Sequence, residues 1–296
     1  MMRRVGDRVV VVGTVNLDLC FEVARLPASD ETLGGAAYSE AGGGKGANTA
    51  AAAAASGADC VLVAAVGDDP AGRAALAELE GYGVDTSAVV RIPGTPTGRA
   101  GILTAPGTNM IVVASGANAG LGSRVGDVLA TLGGEDPTWC LVNGELPDDA
   151  VESAAGVAHE LGWRVAYNAS PARPLGPSML AARPLLVVNE VEARQLTGFD
   201  VERDAAAELA SRHGRAVVTL GADGALVAEG GQITEVPPTP VTPVDTVGAG
   251  DAFTGALLAS LAAGASLVDA TRAGVDAGGR AVSHRGARGW LNPRLP

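Results

Sequence analysis

The stretch VDTVGAGDAFTGALL at 244–258 sets two carboxylates, Asp245 and Asp251, on either side of a Gly248-Ala249-Gly250 turn that runs into apolar, helix-like sequence. Residues without bulk where a helix begins let successive backbone N–H groups turn toward one small anion, and the helix dipole adds to the attraction. Asp251 then falls in the first helical turn. Two readings are open for it: a carboxylate that complements the dipole, or a general base beside an anion hole, placed to take the proton of an attacking hydroxyl. The bare backbone on its N-terminal side favours the base, since an ordinary cap needs no wide cradle.

A second glycine-rich stretch, AGGGKGANTA at 41–50, invites comparison with a phosphate-binding P-loop. It fails as one, with Ser39 where the first glycine should stand and Gly46 where Ser or Thr should follow the lysine. Gly42, Gly44 and Ala47 give only the weaker G-x-G-x-x-A form of the dinucleotide fingerprint, and the preceding AAYSEA is no buried strand. What remains is either a helix start at which Lys45 and Asn48 meet a small ligand approaching bare backbone, or a tight turn with solvated polar residues. In VVVVGTVNLD, Asn16 and Asp18 alternate on an extended segment and could grip neighbouring hydroxyls from one face, although Asx turns explain them equally. Glu145 follows WCLVN, Asn189 and Glu192 follow LLVVN, and TLGADG at 219–224 ends a further strand. These are strand C-termini, where α/β ligand sites are expected. His159, His213 and His284 lack metal-ligand spacing and read as surface or packing residues.

The elements that must carry these residues are short β-branched runs between helix-length segments: 8–13, 60–67, 139–143, 164–168, 185–189 and 216–220. Most lack period-two alternation, as strands of a sheet covered on both faces do, so a doubly wound, mostly parallel α/β fold is expected. Two regions break the pattern, about 16–42 and 95–116, the second reading as a hairpin around Pro106-Gly107; together they are expected to form a small β lid on one 1–296 domain. Only 3% of residues are aromatic, so the core must rely on small aliphatic side chains and close backbone approach, and NTAAAAAASG reads as a buried helix pressed on a sheet. A net charge of −12 disfavours nucleic acid and acidic lipid as partners. Cys20, Cys60 and Cys140 are odd in number and form no C-x-x-C pair, no run of eighteen apolar residues occurs, and a reduced, cytoplasmic setting is expected.

Taken in order, VNLD, GGKGAN (43–48), GANA (116–119), NASPAR (168–173), NEVEARQLTG (189–198) and DTVGAGDAF (245–253) resemble the ribokinase-like sugar kinases, the PfkB family, over nearly the whole chain. The resemblance implies an ATP-dependent phosphotransferase in which Asn16, Asp18, Gly44, Lys45, Gly46, Asn48 and Glu145 hold the sugar, Asp251 is the base, and the amides of Gly248, Ala249 and Gly250 stabilise the transferring phosphoryl. It further implies nucleotide contacts at Asn189, Thr219, Gly221, Gly224, Gly250 and Val275, with Asn189 and Glu192 associated with magnesium. A potassium site is implied at Asp245 and the carbonyls of Val247, Ala281, His284 and Gly286. Trp290 stands where the family generally has a small polar residue at that site, which leaves potassium activation open. D-Ribose is the expected acceptor, with fructose, deoxyribose, another pentose or a nucleoside as alternatives, decided by single hydroxyl contacts and lid side chains such as Arg99 and Ile102. A homodimer through the lid is implied. The rivals from other classes are a catalytically silent sugar-binding regulator and a nicotinamide-dependent oxidoreductase.

Overall fold

A computed structural model describes residues 7–122, 124–133 and 138–291. The chain enters through the buried strand β1 (Arg8–Val12), leaves the core along β2 (Asn16–Glu22) and β3 (Ala37–Gly43), and turns back into helix α1 (Lys45–Ala55). β4 (Asp59–Val63), β5 (Ala65–Gly67), α2 (Pro70–Gly81) and β6 (Val90–Ile92) lead to a second excursion, the hairpin of β7 (Gly98–Ala105) and β8 (Thr108–Ala114). Helices and strands then alternate: α3 (Arg124–Thr131), β9 (Thr138–Asn143), α4 (Asp148–Glu160), β10 (Arg164–Asn168), α5 (Pro177–Ala182), β11 (Leu185–Asn189), α6 (Glu190–Thr197), α7 (Glu202–His213) and β12 (Arg215–Thr219). The hairpin β13 (Ala225–Glu229) and β14 (Gln232–Val236) precedes the last two helices, α8 (Ala249–Ala262) and α9 (Leu267–Val282).

Eight strands form the central sheet in the order β14-β13-β12-β11-β10-β9-β1-β4, parallel from β4 to β12 and antiparallel beyond. The absence of alternation in the sequence has its cause here. Val9 and Val11 enter one apolar core with residues of α1 and α8, while Val10 and Val12 enter the other with residues of α3 and α4. Both faces of the strand are therefore dry, and every position calls for an apolar side chain.

Two features depart from the expected strand list. The run 60–67 is not one strand: β4 joins the central sheet, the chain bends at Ala64, whose carbonyl accepts the Val90 N–H, and β5 pairs with β6 instead. The β13–β14 hairpin was not anticipated. Its turn is Gly230-Gly231 with φ of 60° and 77°, a pair of left-handed residues that a two-residue hairpin loop of matching twist requires.

The lid is a four-stranded sheet in the order β3-β2-β7-β8, with β7 and β8 closing across Pro106-Gly107 as expected. Beneath it, α1 is buried from Gly46 to Ala54, on the sheet side and on the α8 side alike. A Cβ at Gly255 of α8 would lie 2.6 Å from both Ala52 Cβ and Thr49 O, so these helices meet backbone to backbone. Gly255→Val should lower the unfolding free energy by about 1–3 kcal/mol through overpacking. Urea titration checks this, and an unchanged midpoint would mean that the helices have room to spare.

Candidate active site

Helix α8 starts at Gly248, whose φ of 77° suits glycine and whose Cβ position is filled by Ala287 at 2.6 Å. Gly250 differs: a Cβ there would enter open space, so the fold itself makes no demand for glycine at this position. The first-turn amides of a helix have no intrahelical acceptor, although here the Ala249 N–H donates to Thr246 O at 3.3 Å outside the helix. An uncovered backbone at that place leaves room for an anion.

Asp251 stands in the same turn with only 6% of its surface exposed, and it does not serve as a helix-start carboxylate in solvent. Its Oδ2 accepts from Asn48 Nδ2 at 3.0 Å, and its Oδ1 lies 3.9 Å from Lys45 Nζ. Burial raises its pKa above the usual carboxylate range, and nearby Glu145 adds to this, while Lys45, the Asn48 hydrogen bond and Arg288 oppose it. A carboxylate moved toward neutrality is a better proton acceptor for a hydroxyl. The Lys45 ammonium is held charged chiefly by Asp251, against the effect of burial. Of the two readings of 41–50, the solvated turn falls, since Asn48 is buried at 8% exposure. The dinucleotide reading falls as well: Gly42 lies within β3, a largely exposed strand, and Gly44 and Ala47 follow it at the start of α1.

Asn16 and Asp18 lie on one face of β2, in a strand and not in Asx turns. Asn16 Oδ1 accepts from Asn118 Nδ2 at 2.8 Å, and Asn118 is itself held by the N–H and carbonyl of Val15. The Asn16 carbonyl end is thereby engaged, and its NH₂ is left for a ligand. Asp18 packs so closely on Gly43 that a Cβ there would lie 2.0 Å from its Oδ1. Burial raises the Asp18 pKa to about 6, with Arg288 opposing and Glu145 and Asp251 adding to the rise. Glu145 accepts from the Thr14 hydroxyl and from the Lys45 N–H, which ties the end of β9 to the ends of β1 and β3. The missing side chains of Gly44 and Gly46 are accounted for within the protein: a Cβ would meet Thr14 O at 2.6 Å and the Gly13 backbone at 2.5 Å respectively.

Asn189, Glu192, Thr219, Gly221 and Gly224 lie at or just beyond the C-terminal ends of β11 and β12, whereas Val275 lies within α9. Asn189 and Glu192 form a reciprocal capping box, with Glu192 N donating to Asn189 Oδ1 at 2.8 Å and Asn189 N donating to Glu192 Oε2 at 2.9 Å. Glu192 is buried and its charge reaches Lys45. The Thr219 hydroxyl donates to Val188 O at 3.4 Å, and Gly221 and Gly224 take φ of 55° and 89° around the turn that follows. Val275 is half-buried on α9 against the core. Among the described residues no three His, Cys, Asp or Glu side chains cluster as a metal site. The fit is to magnesium carried by phosphates and water, which needs only one or two protein carboxylates.

Asp245 draws two segments together, accepting from Val247 N at 3.0 Å and Gly286 N at 2.8 Å. The Ala281 carbonyl accepts the His284 N–H, and His284 Nδ1 faces Arg280 O at 2.9 Å. Trp290 packs against the core, with the Arg280 guanidinium carbon 5.5 Å from the centre of its ring. It presents no oxygen ligand. The fit to a monovalent cation is therefore incomplete, and no step below is routed through one.

Three contributors escaped the sequence reading. Asn118 lies in GANA, whose resemblance was visible but whose role behind Asn16 was not; Thr14 sits in an unremarkable strand exit; Arg288 has nothing around it in RGARGW to set it apart. Of the two lid side chains singled out, Ile102 pairs with Cys20 and so shares the Asp18 face, whereas Arg99 pairs with Leu17 on the other face and lies 3.9 Å from Asp69. A cleft lined by Arg173, Leu180, Arg212 and His213 shares no residue with this site. Because the folded pKa of Asp18 exceeds its ordinary 3.8, its contribution to stability falls as pH rises from about 4 to about 6 and stays low above. Asp18→Asn should therefore raise Tm at pH 8 and leave it nearly unchanged at pH 4, while weakening sugar binding. Calorimetry across that range checks the sign.

The model of the pfkB family of carbohydrate kinases matches residues 7–293. The chain is 33% identical over 287 residues to a ribokinase of Bacillus subtilis, covering 97% of this chain and 96% of that protein. It is also 33% identical over 258 residues to a deoxyribokinase of Salmonella typhimurium, covering 83% of each. Among solved structures, the ribokinase of Arabidopsis thaliana complexed with ribose and ATP superposes with a TM-score of 0.86 at 27% identity, over 98% of this chain and 96% of that one. On this match of sequence and fold over nearly its full length, the chain belongs to the pfkB family of carbohydrate kinases.

Proposed function

We propose that the protein transfers the γ-phosphoryl group of ATP to the terminal hydroxyl of a small sugar, D-ribose being the best-supported acceptor. The observation that carries the reading is the buried Asp251 carboxylate, held by Asn48 and Lys45 one residue beyond the open backbone of Gly250. The Bacillus subtilis ribokinase relative and the ribose–ATP complex of the Arabidopsis protein support ribose as acceptor.

The geometry supports this reading, since phosphoryl transfer depends on positioning and charge stabilisation and needs no covalent intermediate. Asn16 and Asp18 offer a donor and an acceptor to neighbouring hydroxyls from one face. Asp251 accepts the proton of the attacking hydroxyl, and Lys45 keeps positive charge beside it. The first-turn amides of α8 beyond Ala249, whose N–H donates to Thr246 O, stabilise negative charge on the transferring group. Glu192, with one oxygen committed to capping, would be the carboxylate available to the water shell of a magnesium ion carried by the triphosphate, which would supply charge neutralisation there. A silent sugar-binding regulator would have no use for an open cradle beside a carboxylate with a raised pKa.

The lid supports a homodimer. Ile111 and Val113 pair with Ile102 and Ala100 on the Asp18 face of β8, whereas Met110 and Val112 lie on the other face, and all four are exposed. One face then serves the sugar and the other a second copy. The need for ATP and the three free cysteines are in keeping with a cytoplasmic setting.

The deciding experiment is ADP release from Mg-ATP with ribose, deoxyribose, fructose, adenosine or fructose 6-phosphate, run in potassium and in tetramethylammonium. Ribose should turn over fastest and equally in both salts; a preference for deoxyribose would move the acceptor, and silence with saturable ribose binding would favour the regulator. Asp251→Asn should fold normally and lose roughly 10²–10⁴-fold in kcat, the usual worth of a general base. Gly250→Ala should keep its Tm, since the added carbon meets open space, yet lose turnover because its methyl crowds the anion away from the amides, by up to the roughly 10²–10³-fold that loss of an anion-hole donor costs. Near-normal turnover of that variant would sink the cradle.

A further inference from the structure

Arg288 lies in the turn after α9, 6% exposed, and reaches three elements at once. Its Nε donates to Asn48 Oδ1 on α1 at 2.9 Å, its Nη1 to Glu78 Oε2 on α2 at 3.0 Å, and its Nη2 to Gly43 O at the end of β3 at 3.2 Å. The first of these contacts has a chemical consequence. A side-chain amide has two unlike ends, and a guanidinium only donates. With Arg288 on the oxygen, the NH₂ of Asn48 must face Asp251; the reversed amide would set NH₂ against guanidinium and oxygen against carboxylate, two unfavourable contacts in a buried place.

We infer that Arg288 is a positioning residue of the transfer reaction, locking the Asn48 amide so that its N–H faces the Asp251 carboxylate and fastening the floor of the sugar site to α2. The inference rests on the kinase reading for its kinetic consequences only; the hydrogen bonds stand without it. Arg288 touches neither Asp251 nor any position assigned to the substrate other than Asn48, so it acts through Asn48 and through its charge.

That charge is one of several that Asp251 meets. Lys45 faces it from α1, Glu145 from the loop after β9, Asp18 from β2 and Arg288 from the C-terminal turn, while Glu192 at the start of α6 bears on Lys45. Lys45 and Arg288 are the cations of the set, and both favour the ionised base. Arg288 likewise favours ionised Asp18. Removing it therefore shifts protonation in one direction, toward a base that needs a higher pH.

Arg288→Met keeps length and apolar packing and removes both donors and charge. Its kcat should fall about ten- to a hundredfold, the range of one charge-assisted hydrogen bond. The acid limb of its kcat–pH profile should move to higher pH, with KM for ATP unchanged. Carbon-13 NMR of the labelled Asp251 carboxyl in the sugar-free protein should show its titration moving the same way. A carboxyl that titrates as in the wild type overturns the inference. If the wild type phosphorylates no sugar on the panel, the kinase reading fails, and the NMR titration still decides Arg288. Should the methionine variant not fold, Arg288→Lys decides: charge kept and fork lost should lower kcat with an unmoved acid limb, and full wild-type kcat would refute the positioning role.

Discussion

The site depends on how closely three backbones approach one another. Helix α1 can carry Asn48 to within 3.0 Å of Asp251 on α8 only because nothing larger than hydrogen stands between α1 and its neighbours. Gly46 lies against Gly13 of the β1 exit, and Gly255 lies against Ala52 and Thr49. The paucity of aromatic residues and the run of alanines are the composition of that constraint. Small residues bury little area each, so the helix is held by the number and closeness of its contacts and not by any large side chain. A sugar site built on this contact inherits its rigidity.

Electrostatics set the second constraint. Asp18, Glu145, Glu192 and Asp251 influence one another or Lys45 electrostatically in a region that, on the proposed function, must also receive a triphosphate, in a protein whose net charge is already −12. Two devices keep this workable. Lys45 and Arg288 are interleaved among the carboxylates, and the α8 start beside Asp251 offers N–H groups that would suit a phosphate on the proposed function. On that function, the acids would face hydroxyls and the amides phosphate.

What was legible in the sequence follows from range. Strands buried on both faces, a hairpin turn at Pro106-Gly107 and a helix starting at Gly248 are local patterns, and they appear where the pattern placed them. The division at Ala64 was not legible because the apolar run continues through it and only pairing with β6 separates the two strands. The Gly230-Gly231 hairpin was written plainly in the chain and overlooked. Asn189 and Glu192 show the opposite limit: the N-x-x-E spacing points to a ligand role, yet the side chains also form a capping box, so one spacing serves two purposes. Arg288 could not have been picked out, since its meaning resides in Asn48, Glu78 and Gly43, all more than two hundred positions earlier in the chain.

The raised pKa values bear on why such a site is held together by the rest of the fold. An acid that is harder to ionise in the folded protein than in the unfolded chain costs stability wherever it is ionised, so above about pH 6 Asp18 works against folding, and Asp251 adds to this. On the proposed function, the sugar would reverse that balance. Hydroxyl donors set against Asp18 would replace the water that burial removed and stabilise the charged form, so part of the binding free energy would come from relieving a cost that the fold already carries. The close-packed α1 and α8 supply the stability against which that cost is set, which connects the small-residue core to the acidity of the site.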